Sequence, residues 1–143
     1  MAIPKTYKTE AIVLKQMNLG EVDRIVTLYT PSMGKVRAVV KSGRKMNSRL
    51  GGHVGTLTHC LLLISRGRNL DTITQSQTIG SFLAIRKDLV LTARAFYLIE
   101  LLDSFTVERV ENYQIFKQLI EALQNLDKVS NFSRLHFSCF RIM

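Results

Sequence analysis

Nine basic residues, Arg24, Lys35, Arg37, Lys41, Arg44, Lys45, Arg49, Arg66 and Arg68, fall between Asp23 and Asp71 with no acidic residue among them. The chain has 20 Lys and Arg and 11 Asp and Glu, so with these nine set aside the rest is balanced. The whole net charge of +9 therefore comes from one segment. Cations gathered over such a length, with acids excluded, are the electrostatic footprint of a polyanion-binding surface. A positive surface kept only for solubility would be served as well by interspersed signs. The chemistry expected here is non-covalent: Lys and Arg heads tracking phosphates without reading bases.

Other chemistries find little support. His53, His59 and His136 are dispersed. His59 stands beside Cys60, but neighbours in a strand point to opposite faces and do not make a metal pair. Cys60 and Cys139 lie far apart in apolar runs, the pattern of buried free thiols in a reducing compartment. No phosphate-gripping glycine loop, nucleophile elbow or His-Glu-x-x-His helix is present. The basic segment also lacks the carboxylates with which a nuclease holds magnesium. No enzyme activity, cofactor or metal is expected.

The cations need elements to position them. With 46% hydrophobic residues the chain has material for a core. Up to about residue 80 the pattern is that of strands: residues 7–17, 24–29, 35–41, 56–65 and 70–79. In the third, Val36, Ala38 and Val40 alternate with Lys35, Arg37, Val39 and Lys41, so one face is core and the heads of the cations on the other should lie in water. The run Leu61-Leu62-Leu63-Ile64 predicts a strand buried on both faces. Residues 18–21 and the turn 31–34 separate the early strands, and residues 42–55, with four glycines, form a loop bearing Arg44, Lys45 and Arg49. Arg66 and Arg68 sit on a tight fourth-to-fifth connection. Five short strands with glycine-rich corners predict a five-stranded β-barrel of the OB-fold kind over residues 1–80.

After Gly80 the period becomes helical, so residues 81–143 read as the start of an α-helical domain. Ser81 is expected to cap a short turn and Asp88 the next helix. Residues 89–102 are apolar nearly all round and should be buried between neighbours. Residues 112–126 are amphipathic, and a third helix is expected from about Asn131, running into Met143 without a stop signal, as in a chain cut short. No signal peptide precedes the strands, and the longest uncharged apolar runs, such as residues 57–64, are too short to span a bilayer, so a soluble, cytoplasmic protein with no membrane contact is expected.

Several stretches resemble the bacterial RecO family. They are Tyr7-Lys8-Thr9-Glu10-Ala11-Ile12-Val13-Leu14, and Gly20-Glu21-Val22-Asp23-Arg24-Ile25-Val26-Thr27-Leu28-Tyr29-Thr30-Pro31. Gly34-Lys35-Val36-Arg37-Ala38-Val39-Val40-Lys41, Ser48-Arg49-Leu50-Gly51-Gly52 and Arg66-Gly67-Arg68-Asn69-Leu70-Asp71 follow in order. The resemblance covers nearly all of the barrel and continues more weakly through the helices. It implies an OB-fold followed by a helical domain and a non-catalytic part in recombinational DNA repair. It implies binding of single- and double-stranded DNA and annealing of strands coated with single-strand-binding protein. It also implies work with RecR to load RecA. Many family members carry a paired-cysteine zinc site in the helical domain, and no such motif occurs here, which puts the partner-dependent functions in doubt.

Among the nine cations Arg24 is the least certain contact, since Glu21 and Asp23 are close enough to pair with it. Before Phe82 the aromatic residues are Tyr7 and Tyr29 alone, and the chain has no Trp. Single-strand specialists use several stacking rings, so the expected binding is electrostatic, tolerant of sequence and of strandedness, with Tyr29 in packing. Two rivals share the charge argument: an RNA- or ribosome-binding OB protein, and a protein-interaction module whose basic face receives an acidic partner tail. An enzyme domain with its catalytic groups elsewhere has no support in these residues.

Overall fold

The computed structural model describes residues 5–41 and 56–142, with side chains through residue 128. Arg44, Lys45 and Arg49, and the loop predicted over residues 42–55, lie outside the described residues. Among the described residues five strands come first: β1 (Thr6–Leu19), β2 (Asp23–Thr30), β3 (Gly34–Val40), β4 (His59–Ser65) and β5 (Asp71–Gly80). Three helices follow, α1 (Leu83–Arg86), α2 (Leu89–Phe105) and α3 (Tyr113–Ile142).

β1 is long enough to serve two neighbours. From Thr6 to Ile12 it pairs antiparallel with β4, and from Ile12 to Leu19 with β2, around an irregularity between Val13 and Lys15. A bulge of this kind bends a strand so that it can pass from one part of a sheet to another. β2 pairs with β3, and a short parallel contact, Ala38 with Asp71 and Val39 with Thr72, joins β3 to β5. β5 pairs back to β4, so the order β1-β2-β3-β5-β4 closes on itself, the OB-fold arrangement that the strand pattern predicted.

Alternation along the strands builds two cores. Ala11, Val13, Val26, Leu28, Ala38, Val40, Leu62 and Ile64 fill the barrel with Cys60 and Ile73. On the outer side, Ile12, Leu14 and Tyr29 join Ile85, Leu91, Ala95, Ile99, Phe116, Leu119 and Leu123 in a second cluster that fastens the helices to the barrel. Residues 11–14 are thus buried on both faces of β1. At roughly 1.5–3 kcal/mol for each fully buried aliphatic side chain, this shared core makes the helices an integral part of the barrel's stability.

Four expectations need correction. β4 is not buried on both faces: Leu62 and Ile64 point inward, while Leu61 and Leu63 are half-buried on the other side. α2 buries one stripe, Leu91, Ala95 and Ile99, and leaves Leu89, Val90, Tyr97 and Phe105 exposed. α3 is one continuous helix where two were expected; no Gly or Pro interrupts residues 113–142, so nothing in the backbone chemistry stops it. Ser81 does not cap α1, whose N-cap is Phe82 in the left-handed region, and the Ser81 carbonyl instead accepts from Arg86 Nε at 2.6 Å. Asp88 does cap α2, its Oδ1 accepting from the N–H groups of Val90 and Leu91 at 3.0 and 3.2 Å.

Candidate nucleic-acid interface

The outer face of β3 is less open than its alternation implies. Residues 106–112, between α2 and α3, run along the edge of β3 that β5 leaves free, with a parallel bridge between Lys35 and Glu108. The N–H of Arg109 donates to the Lys35 carbonyl at 2.8 Å. Gly34 makes this approach possible, because a Cβ there would lie 2.0 Å from the Val110 carbonyl oxygen.

Lys35 is drawn into this junction. Its Nζ donates to Asp103 Oδ1 and the Asp103 carbonyl, both at 3.0 Å, and to the Thr106 carbonyl at 3.1 Å. Its side chain is 13% exposed, which overturns the expectation that the head of Lys35 lies in water. Lys15, which is exposed, reaches the other Asp103 oxygen at 2.9 Å. Burial alone would raise the Asp103 carboxyl, but the hydrogen bonds and charges of Lys15 and Lys35 outweigh it and hold the group below its ordinary value. Arg37 stays nearer the surface, 3.8 Å from Glu108 Oε1, with both partners about half exposed. Such a pair contributes about 0–1 kcal/mol and leaves Arg37 able to exchange its partner. The cleft over this face, about 290 Å³, therefore holds Lys15, Lys35 and Arg37 against Asp103 and Glu108.

The remaining described cations fall into two groups. Arg24 pairs in register with Val40, so Lys41, exposed at the end of β3, is its near neighbour. Arg24 is half-buried and donates to Gln16 Oε1 on β1 at 2.6 Å. Arg66 and Arg68 lie on the loop 66–70, where Arg68 is exposed. The Arg66 guanidinium stacks 4.6 Å above the centre of the Tyr7 ring, and the backbone N–H of Arg66 donates to the Lys5 carbonyl at 2.8 Å. Cation–π attraction holds the Arg66 head over this ring.

Beneath this loop lies Asp71, 1% exposed. Its Oδ2 accepts from the Tyr7 hydroxyl at 2.8 Å and its Oδ1 from the Gly67 N–H at 3.2 Å. Arg109 Nη2 stands 3.6 Å from Oδ1. Sequence reasoning used Asp71 only to bound the basic segment and missed Lys15, Asp103, Glu108 and Arg109 altogether. Their partners are tens of residues away, and no local pattern marks such pairs.

The rings behave as packing groups. Tyr29 is 1% exposed and lies parallel to Phe116, centroids 6.5 Å apart. Cys60 is a free thiol inside the barrel, pushed up to about 12 by burial, against which a hydrogen bond accepted from Ser76 works only weakly. Its neighbour His59 faces outward to Glu10 at 3.5 Å and to the Phe116 ring. Among the described residues no group of three His, Cys, Asp or Glu comes together as a metal site, and no helix is long and apolar enough to cross a membrane.

A closed five-stranded barrel with cations at the β3 end and on the β4–β5 loop, fastened to helices through a shared core, is an OB-fold of the kind found in nucleic-acid-handling proteins. The comparisons with known proteins narrow this class. Recombination protein O N terminal matches residues 1–82 and Recombination protein O C terminal matches residues 86–142. The DNA repair protein RecO of Dehalococcoides mccartyi (strain ATCC BAA-2100 / JCM 16839 / KCTC 5957 / BAV1) is 43% identical over 130 residues, covering 91% of this chain and 51% of that protein. That of Roseiflexus sp. (strain RS-1) is 40% identical over 123 residues, 86% of this chain and 43% of the relative. That of Bacillus mycoides (strain KBAB4) is 38% identical over 116 residues, 81% and 47% respectively. The chain belongs to the RecO family, and it spans about half the length of these curated relatives.

Proposed function

We propose that this chain serves recombinational DNA repair as a non-catalytic, sequence-tolerant binder of the DNA backbone. It holds single- and double-stranded DNA through Lys41, Arg66, Arg68 and Arg37, with Arg24, Arg44, Lys45 and Arg49 as further cations of the same segment. Lys35 supports this surface from beneath. The reading continues to strand annealing in the cytoplasm, with RecR and single-strand-binding protein as partners and RecA loading as the outcome. The resemblance to the RecO family supports these partners.

One observation carries the reading. Four cations of the acid-free segment, Lys41 and Arg68 exposed and Arg37 and Arg66 partly so, lie on an OB-fold, while both barrel tyrosines are withdrawn, Tyr29 into the core and Tyr7 under Arg66. A surface with charge and no open stacking ring attracts phosphates and does not discriminate bases. Fluorescence-anisotropy titrations with single- and double-stranded oligonucleotides of unrelated sequence test it. Affinities that agree between sequences are expected. Tight preference for one short sequence, or no binding to any, overturns the reading.

A further inference from the structure

Arg109 lies outside the basic segment, in a stretch where Glu108 and Glu111 balance it. Its backbone holds φ at +62°, in the left-handed region that residues with a Cβ seldom adopt. The hydrogen bond from its N–H to the Lys35 carbonyl pins that conformation. The guanidinium is thereby directed to the β4–β5 loop, where it reaches Asp71 with 48% of the side chain still exposed. A strained backbone held by its surroundings is characteristic of positions where the direction of a side chain matters.

Arg109 joins a loop that is already organised. Asp71 holds the Gly67 N–H and the Tyr7 hydroxyl, and the loop folds so closely that a Cβ on Gly67 would lie 2.1 Å from the Leu70 carbonyl oxygen. Arg66 covers the Tyr7 ring. Both Arg66 and Arg109 are near enough to the Tyr7 phenol for their charges to act on it. Arg68 projects from the same loop into solvent. The Arg109 guanidinium thus stands at the loop that carries Arg66 and Arg68. At 3.6 Å the Arg109–Asp71 contact is an ion pair too long to be a hydrogen bond, so the Arg109 donors remain for a ligand.

We propose that Arg66, Arg68 and Arg109 form one anion site that takes a phosphodiester group of the nucleic-acid backbone. The proposal rests on the DNA-binding reading above and adds to it a location and a residue from outside the barrel. Planar guanidinium forks suit the paired oxygens of such a group. Because Arg109 stands on the connector between α2 and α3, the site would be shared between barrel and helices.

The test is a salt-series anisotropy titration of labelled oligothymidine with the wild-type chain, Arg109→Gln, Arg109→Lys and Arg94→Gln. Arg94 is exposed on α2 and belongs to no part of the proposed site. Arg109→Gln is expected to reduce the slope of log Kobs against log salt by about 0.7 and to weaken binding about fivefold near 0.1 M salt. Arg109→Lys keeps the charge and should retain the wild-type slope, and Arg94→Gln should change neither quantity. An unchanged slope in Arg109→Gln, an equal loss in Arg94→Gln, or an equal loss in Arg109→Lys overturns the shared site while leaving DNA binding by the barrel standing. Absence of binding by the wild-type chain overturns both.

Discussion

The ammonium of Lys35 on β3 lies 3.0 Å from the carboxylate of Asp103, 68 residues further along, and the two close the C-terminal turn of α2 against the barrel. Lys35 has three acceptors there, the Asp103 carboxylate and the carbonyls of Asp103 and Thr106. The residue is therefore a fastener between barrel and helices, and its charge is matched within the fold.

Replacing Lys35 by Ala is expected to destabilise the fold by about 2 kcal/mol, because it leaves Asp103 and the Thr106 carbonyl short of a charged donor. Urea denaturation measures this. A Lys35→Ala chain of unchanged stability but weakened DNA binding would return Lys35 to the DNA-contacting face.

The same junction predicts a pH dependence. The folded-state carboxyl of Asp103 is held below its ordinary value of 3.8, so the stability it contributes is present above that value and is lost as pH falls through the lowered one. Asp103→Asn should destabilise the chain at neutral pH by about 1–2 kcal/mol. The difference from wild type should vanish as pH falls through and below 3.8. A difference that stayed constant into acid would assign Asp103 a packing role and no charge-dependent one.

Two glycines separate backbone conformation from contact. Gly20 and Gly34 both have positive φ, +66° and +68°, but a Cβ on Gly20 meets nothing within 4 Å, while one on Gly34 meets the Val110 carbonyl. Gly20→Ala should cost about 1 kcal/mol, the price of the left-handed conformation. Gly34→Ala should cost clearly more, about 3 kcal/mol, because the connector must also move. Thermal unfolding of the two variants compares them, and equal losses would mean that the connector does not press on β3.

The fold was legible where short-range chemistry decides it. The alternation of Val36, Ala38 and Val40 with Lys35 and Arg37 sets the faces of β3, and the structure keeps that register. Asp88 reads as a cap because its side chain acts on N–H groups two and three residues away. Alternation does not reveal what covers the outer face, and that is why Lys35 was expected in water. The Asp103, Glu108 and Arg109 contacts depend on a connector returning across the barrel, a tertiary event without a local signature. The apolar stretch of α2 misled for the opposite reason: its composition is uniform, while its packing against the barrel uses one stripe. Of the predicted site, Lys41 and Arg68 are exposed, Arg66 is half-buried over the Tyr7 ring, Arg37 is half-exposed beside Glu108, and Arg24 donates to Gln16.

The central claim is that surface cations of the barrel bind DNA phosphates. Its most direct test is the salt dependence of oligonucleotide binding by a chain carrying Arg37→Gln, Lys41→Gln, Arg66→Gln and Arg68→Gln. A matched chain with Lys87, Arg94, Lys117 and Lys128 replaced by Gln, all exposed on or beside the helices, is the control. The account predicts a log–log slope shallower by about 3 for the first chain with single-stranded DNA, at roughly 0.7 per phosphate contact, and a near wild-type slope for the control. Equal slopes in the two chains, or a steeper loss in the control, would contradict it.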